Sequence, residues 1–211
     1  MYFVLLLVSF CASAVGAVCG IGGGVIIKPL LDALGVAGVS TISFLSGCTV
    51  LSMSCYSVGK AMLAGERDIE GRTGTPLALG AAVGGVAGKA LFSLLRSMAA
   101  QPERVGGYQS ICLALVTLAT LLYTVFQSGI KTRRVESRAA CAVIGLLLGV
   151  MSSFLGIGGG PINLVVLYYF FSMSTKTAAR NSLYIIFVSQ AASLLTTLFT
   201  HSVPAFEPLW L

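Results

Sequence analysis

Charged residues divide the chain into long apolar stretches. The segments without Asp, Glu, Lys or Arg are 1–27, 33–59, 73–88, 105–130, 139–175 and 181–206. A helix needs about 20 mostly apolar residues to cross the hydrocarbon core of a bilayer. Because these runs are continuous and do not alternate with polar residues, they predict membrane helices rather than barrel strands. We predict six spans, near 2–27, 38–59, 75–95, 107–127, 139–170 and 181–200.

The composition agrees with an all-α integral membrane protein and excludes several other classes. Hydrophobic residues make up 56% of the chain and charged residues only 9%, whereas a soluble domain carries about 25% charged residues. The net charge of +6 is spread over short loops, so nucleic acid is not an expected partner. All six cysteines lie in apolar runs without a C-x-x-C pair, which predicts neither a metal site nor a cofactor. The expected surroundings are a lipid bilayer.

Lys and Arg residues in the loops predict the orientation in the membrane. If all six predicted spans cross, one side carries seven such residues, namely Lys60, Arg67, Arg72, Lys131, Arg133, Arg134 and Arg138. The other side carries five, namely Lys28, Arg96, Arg104, Lys176 and Arg180. The tightest cluster is in the loop 128–138. We therefore predict a multi-pass protein of the plasma membrane with this loop and the N-terminus both in the cytoplasm.

A glycine motif occurs twice in the chain. GIGGG at 20–24 reappears at 156–160, an offset of 136, and the same offset pairs Ser46 with Ser182. This predicts a two-repeat bundle: a four-helix repeat at 1–127, a basic connecting loop at 128–138, and an incomplete second repeat at 139–211. Four predicted spans, an even number, separate the two copies. We therefore expect the two halves to have the same orientation, related by an axis along the membrane normal.

The offset also predicts two helices that the given chain does not contain. By the offset, the counterpart of the third span would begin near residue 211, and the second repeat would end near residue 261, about fifty residues further on. A complete bundle would then have eight helices. We favour a fragment of a longer chain. The alternative is a natural short form that borrows the absent surface from another subunit, as a homo-oligomer.

The glycine motifs predict breaks in two membrane helices. Each glycine costs a helix about 1 kcal/mol relative to alanine, and irregular backbone at membrane depth must be buried in protein or line a cavity. Pro161 directly follows the second copy, and proline favours the first turn of a helix. The N-terminus of such a half-helix suits an anion. Close helix packing is the alternative, and it better explains Gly80, Gly84 and Gly88.

These residues resemble those of the TauE/SafE family of membrane transporters, which is associated with the export of sulfite and sulfonate-related compounds. The resemblance rests on GIGGG at 20–24 followed by an apolar stretch and Pro29, on the second GIGGG, and on the segment TKTAARNSL at 175–183. It covers nearly the whole chain and implies about eight spans. The sequence departs from the pattern at Val165, which stands at the counterpart of Pro29, and at Arg180 and Asn181, where small and hydroxyl residues are expected.

The predicted function is a secondary transporter that exports a small anion such as sulfite, a sulfonate or a related organosulfur anion. The predicted substrate-binding residues are the two motifs and nearby polar residues, namely Gly20, Gly22, Gly23, Gly24, Ser46, Gly156, Gly158, Gly159, Gly160, Pro161, Asn163, Arg180, Asn181 and Ser182. Lys28 is a further predicted charge contact. Lys89 is expected near a helix end or facing the protein interior, and Gln190 is expected to form a helix–helix hydrogen bond.

Two other functions remain open, an anion channel and a non-transporting membrane partner or half-module. No Asp or Glu falls well inside a predicted span, so the sequence offers no carboxylate for a proton relay or a sodium site. An inside-negative potential would itself expel an anion, by about 2.3 kcal/mol per charge per 100 mV. An enzyme is not predicted, because paired aspartates, a serine–histidine pair and H-E-x-x-H are all absent from the spans.

Overall fold

The computed structural model describes residues 2–35, 38–65, 71–98, 102–127, 132–200 and 203. Within these ranges the chain forms eight helices and no strand: α1 (Tyr2–Cys19), α2 (Gly24–Ala33), α3 (Val39–Leu63), α4 (Gly71–Met98), α5 (Pro102–Phe126), α6 (Arg138–Leu155), α7 (Gly160–Phe171) and α8 (Thr175–Phe199). By length and composition, α3, α4, α5, α6 and α8 could each cross a membrane. The predicted all-α membrane fold class is confirmed.

The second glycine motif is the tip of a helical hairpin formed by α6 and α7, here called the second hairpin. The far end of α7 returns to the segment that precedes α6. There, the amide of Arg133 donates to the carbonyl of Tyr169 at 2.7 Å, and the amide of Val135 donates to that of Phe170 at 2.9 Å. The predicted break near Pro161 is confirmed, because this proline lies in the first turn of α7.

The first glycine motif is the tip of the corresponding hairpin of α1 and α2, here called the first hairpin. The beginning of α2 packs back along α1, since a Cβ on Gly23 would lie 3.1 Å from the carbonyl oxygen of Ala12. In both motifs the chain reverses through glycines with positive φ, +71° at Gly20 and +68° at Gly156, which other residues adopt at a cost. The prediction that 2–27 and 139–170 are single crossings is therefore wrong.

Contacts between the helices define two ends of the bundle. Along α4, Gly80, Gly84 and Gly88 meet α6 in ascending order, and Lys89 meets Thr197 of α8, so α4, α6 and α8 all begin at one end. We call it the basic end, because it carries Lys60, Arg133, Arg134, Arg138, Lys176 and Arg180. Helices α3 and α5 run from the opposite end towards it. Arg67 and Lys131 lie outside the described residues.

The two hairpins insert into the bundle from different ends. Ala12 of α1 clusters with Ile42, near the start of α3, whereas Ala17 packs deeper against the cluster of Met53 and Leu183. The first hairpin therefore enters from the opposite end, and the second enters from the basic end. Three crossing helices, an odd number, separate them, so the repeats are inverted and their two-fold axis lies in the membrane plane. The predicted axis along the membrane normal is wrong.

The first hairpin also changes where the N-terminus lies. Helix α1 begins at the opposite end, and the segment 132–138 lies at the basic end. The prediction that the N-terminus and the basic loop share one side is therefore not compatible with this chain path. The reason is that the prediction counted 2–27 and 139–170 as crossings.

The helix bounds repeat at the offset of 136. Tyr2–Cys19 maps onto Arg138–Leu155, and Val39–Leu63 maps onto Thr175–Phe199, without a shift at either end. The two motif tips also meet each other symmetrically, with Gly24 against the Ile157 carbonyl and Gly160 against that of Ile21. The predicted repeat limits, 1–127 and 139–211, stay a prediction, since α4 and α5 have no counterparts within the described ranges.

Candidate functional site

A cavity of about 370 Å³ lies between α3, α4, α5, α8 and the tip of the second hairpin. Its lining is rich in hydroxyl and amide side chains, namely Ser40, Ser43, Ser93, Gln109, Ser153, Gln190, Ser193, Thr196, Thr197 and Thr200. Ser93 and Thr200 are exposed, so the cavity opens near the opposite end and leads inward to Gly156. Its size is that of a site for a small molecule.

Lys89 of α4 is the one charged residue among the described residues that line the cavity. It is half-buried, and its Nζ donates a hydrogen bond to the hydroxyl of Thr197. In the described lining no carboxylate opposes this cation, so the cavity attracts anions. Of the two positions expected for Lys89, near a helix end or facing the protein interior, the structure shows the second. Its importance could not be inferred from the sequence, because its polar neighbours come from other helices.

Three donor groups converge at the deep end of the cavity, in front of Gly156. A Cβ on Gly156 would lie 2.8 Å from Lys28 Nζ, 3.1 Å from Ser43 Oγ and 3.4 Å from Gln109 Nε2. The hydroxyl of Ser43 is buried and has no hydrogen-bond partner in the part of the chain that is described. Because glycine carries no side chain, these three donors can lie close to its backbone, beside the cavity.

Lys28 caps the C-terminus of α6. The side chain is buried, with 1% of its surface exposed, and its Nζ donates to the carbonyl oxygen of Leu155 at 2.8 Å. Gln109 Nε2 donates to the neighbouring Phe154 carbonyl at 2.5 Å. A cation at this position is favoured by the helix dipole. Both nitrogens carry further protons, so capping leaves donors for a ligand.

The first motif is packed within the protein. Gly20 contacts Ala179 of α8, and the hydroxyl of Ser182 donates to the Gly20 carbonyl at 2.7 Å. Gly22 contacts Ile186, and Gly23 packs on α1. Gly24 approaches the hydroxyl of Ser46, which is itself buried on α3. Within the described ranges, none of these six predicted site residues lines the cavity.

The second motif contributes one residue to the cavity lining, Gly156. Gly158 lies beneath the amide of Gln190, and Gly159 lies beside Asn163, which is buried in α7. Gly160 and Pro161 begin α7 and are buried, and Gly160 packs against Ile21 of the first hairpin.

Arg180 and Asn181 lie near the start of α8, towards the basic end. Arg180 is half-buried, and Asn181 Nδ2 donates to the Thr177 carbonyl at 2.9 Å. Sequence reasoning did not select Lys89, Ser43, Gln109 and Gln190 as site residues. The available signals were a lysine within an apolar span and the run of hydroxyls at the start of α3. Gln190 lies close to Gly47 and Gly158, a contact between helices, and it also lines the cavity.

Comparison with protein families shows which family the chain belongs to. A family model described as Sulfite exporter TauE/SafE matches residues 5–210, nearly the whole chain. The chain belongs to the TauE/SafE family. No curated protein and no solved structure matches it. Membership and the long apolar helices make this TauE/SafE protein a multi-pass membrane protein of a transporter family. The resemblance inferred from the two GIGGG motifs is thereby confirmed.

Proposed function

We propose that this TauE/SafE protein exports a small sulfur anion, such as sulfite or a sulfonate, and binds it in the cavity around Lys89. The observation that carries the proposal is the charge of the lining. Its one charged residue among those described is a cation, surrounded by neutral hydroxyls and amides. Charge-assisted hydrogen bonds of this kind are about twice as strong as neutral ones. The family match supports the class of substrate.

The polar groups of the cavity are suited to an oxyanion in two places. Lys89 and Thr197 lie on its wall, and the donors of Lys28, Ser43 and Gln109 surround the space before Gly156. Sulfite and sulfonate groups present three oxygens around one sulfur, and each oxygen accepts hydrogen bonds. The aromatic rings of Phe44 and Phe92 also line the cavity and provide an apolar surface for the organic part of a sulfonate.

We revise the predicted substrate site at the two glycine breaks: only the second break contributes to it, through Gly156. Gly156 of the second motif forms the deep end of the site, because its missing side chain lets three donors gather beside the cavity. Of the other motif glycines, Gly24 and Gly160 bring the two hairpin tips together. Lys28, the predicted charge contact, acts at Gly156 and also stabilises the end of α6.

We also propose that the basic end faces the cytoplasm. Among the described residues, seven Lys and Arg positions lie there, the six that define this end together with Arg72, whereas Arg96 and Arg104 lie at the opposite end. The excess of Lys and Arg at one end is larger than the sequence indicated, because the second hairpin places Lys176 and Arg180 at the basic end and not at the opposite one. By the positive-inside rule, this end is cytoplasmic. Helix α1 then begins outside the cytoplasm, and the cavity opens outward.

Thiol labelling tests the orientation. In a variant without the native cysteines, Ser174→Cys at the basic end is expected to react with a membrane-impermeant maleimide only after cells are permeabilised. Gly38→Cys at the opposite end is the matched control and is expected to react in intact cells, because both positions are exposed. The reverse pattern would show that the basic end lies outside.

Transport of labelled sulfite into proteoliposomes tests the function. We expect saturable flux that unlabelled sulfonates reduce by competition. Gly156→Ala is expected to raise KM by about tenfold, the equivalent of roughly 1.4 kcal/mol of lost binding, because the methyl group displaces the three donors. Gly35→Ala is the matched control. Gly35 also has a positive φ, but nothing lies within 4 Å of its added methyl group.

The outcomes separate the alternatives. Flux that rises linearly with sulfite concentration, without competition, would indicate an anion channel. Absence of flux for every anion tested would indicate a non-transporting partner. Equal KM values for the Gly156 and Gly35 variants would exclude Gly156 from the site.

A further inference from the structure

The two hairpin tips make corresponding contacts with α8 and α3. The tip of the first hairpin meets α8, where Gly20 contacts Ala179. The tip of the second hairpin meets α3, where Gly156 faces Ser43. Gly156 corresponds to Gly20 and Ala179 corresponds to Ser43 at the offset of 136, so these are the same contact in the two repeats.

The two contacts are not equally close. A Cβ on Gly20 would overlap the backbone of Ala179, so the first hairpin is closed against α8. The atoms nearest to a Cβ on Gly156 would all be side-chain ends, Lys28 Nζ at 2.8 Å, Ser43 Oγ at 3.1 Å and Gln109 Nε2 at 3.4 Å, and the cavity lies beside this contact. The symmetry of the helix bounds is therefore broken at the site itself: one hairpin is closed and the other is open.

Ser182 and Ser46 correspond at the offset of 136, and they too differ between the closed and the open contact. At the closed contact, the hydroxyl of Ser182 donates to the Gly20 carbonyl at 2.7 Å. Its counterpart Ser46 lies on α3 near the open contact. Ser46 is completely buried, at 0% exposure, and its Oγ has no hydrogen-bond partner among the described residues. A buried hydroxyl without a partner is costly, so such a group calls for a physical explanation.

We propose that this structure is one of two related states, and that in the other state an anion cavity opens at the basic end. In that state Ser46 donates to the Gly156 carbonyl, the second hairpin closes against α3, and Ser182 releases Gly20. One buried serine hydrogen bond is thus exchanged for its counterpart. Such an exchange keeps the free energies of the two states similar, as interconversion requires. The identity of the anion rests on the proposed function, whereas the exchange does not.

The residues that correspond to the present lining indicate what the second cavity binds. Lys176 corresponds to Ser40, Arg180 to Phe44 and Lys60 to Thr196. All three are cations at the basic end, so the second cavity attracts the same class of small oxyanion. This assigns a role to Arg180, which lies outside the present cavity lining.

Thiol accessibility tests the exchange without any substrate. In a variant without the native cysteines, Ser193→Cys reports on the present cavity, and Ser57→Cys reports on the counterpart position at the basic end. Both are labelled in sealed membrane vesicles with an impermeant maleimide from the side that each faces. Removing Ser182 weakens the observed state, and removing Ser46 weakens the other.

Opposite responses are expected from the two serine variants. Ser182→Ala should raise the labelling rate of Ser57→Cys and lower that of Ser193→Cys, by about two- to tenfold, the effect of one hydrogen bond on an equilibrium. Ser46→Ala should either leave both labelling rates unchanged or lower that of Ser57→Cys and raise that of Ser193→Cys. Thr49→Ala is the control, because its hydroxyl bonds within α3, to the Leu45 carbonyl at 3.0 Å.

Equal responses to the two serine variants, or no response to Ser182→Ala, would overturn the exchange. Circular dichroism and elution volume in detergent establish that each variant is folded. Vesicles with the same serine variants but without the reporter cysteines are assayed for sulfite flux. Opposite labelling shifts without flux would support the exchange and contradict the proposed function, so the two failures are distinguishable.

Discussion

Replacing Lys89 with glutamine is expected to lower kcat/KM for sulfite transport by about tenfold to a hundredfold, because hydrogen bonds to charged groups contribute roughly 1.5–3 kcal/mol. Glutamine keeps a donor for the Thr197 hydroxyl but removes the one charge among the described lining residues. The substrate would then enter a site that is polar but not positively charged. Initial rates in proteoliposomes at a series of sulfite concentrations measure the loss.

Two further variants make the Lys89 result specific. Lys89→Arg keeps the charge and is expected to retain more activity than Lys89→Gln. Arg134→Gln removes an exposed cation at the basic end, far from the cavity, and is expected to leave transport close to wild type. If Lys89→Gln transports sulfite as well as Arg134→Gln does, the cavity around Lys89 is not the substrate site.

Replacing Gly160 with alanine is expected to destabilise the protein by about 3 kcal/mol or more, the upper end of what overpacking usually costs. A Cβ there would overlap the backbone carbonyl of Ile21 in the first hairpin, and a backbone atom cannot rotate away. Gly24 is the counterpart in the first motif. Its Cβ would lie 2.7 Å from the Ile157 carbonyl oxygen, so Gly24→Ala is expected to have a milder effect.

Thermal unfolding in detergent, followed by intrinsic fluorescence, measures this difference. Gly59→Ala serves as the control, since Gly59 lies within α3 and nothing is within 4 Å of its added methyl group. This control should be as stable as wild type or more stable, because alanine favours helix by about 1 kcal/mol. Equal melting temperatures for Gly160→Ala and Gly59→Ala would mean that the tips are not packed together as described.

The sequence was sufficient to predict the helices and the breaks between them. Helix length and hydropathy are local properties, so the apolar segments predicted most of the helical residues. Pro161 predicted the beginning of α7 because a proline's preference for the first turn is also local. The offset between the motifs also predicted corresponding helices, since the bounds of α3 and α8 match at that offset.

The direction of the chain after each break could not be predicted in this way. A kinked crossing and a hairpin both need glycines, and both consist of apolar residues. What distinguishes them is the return of α7 to the segment before α6, where Val135 and Phe170 form a backbone hydrogen bond across 35 positions in the sequence. The repeat axis, the position of the N-terminus and the charge count all depend on this choice.

The candidate site could be predicted only in part for a similar reason. Gly156 lies in a recognisable motif, and it does form the deep end of the cavity. Lys89, Ser43 and Gln109 belong to three different helices and come together only through tertiary packing. A lone lysine in an apolar span has many structural explanations, and whether it can bind an anion depends on which hydroxyls surround it.

The meeting of the two hairpin tips has an electrical consequence. Each tip reaches into the interior from its own end, and the tips meet where Gly24 approaches the Ile157 carbonyl and Gly160 approaches that of Ile21. A transmembrane voltage falls mainly across the least hydrated part of a protein, where it is worth about 2.3 kcal/mol per charge per 100 mV. An anion at Gly156 would have the two packed tips between it and the basic end, so the voltage that falls across these turns would act on it.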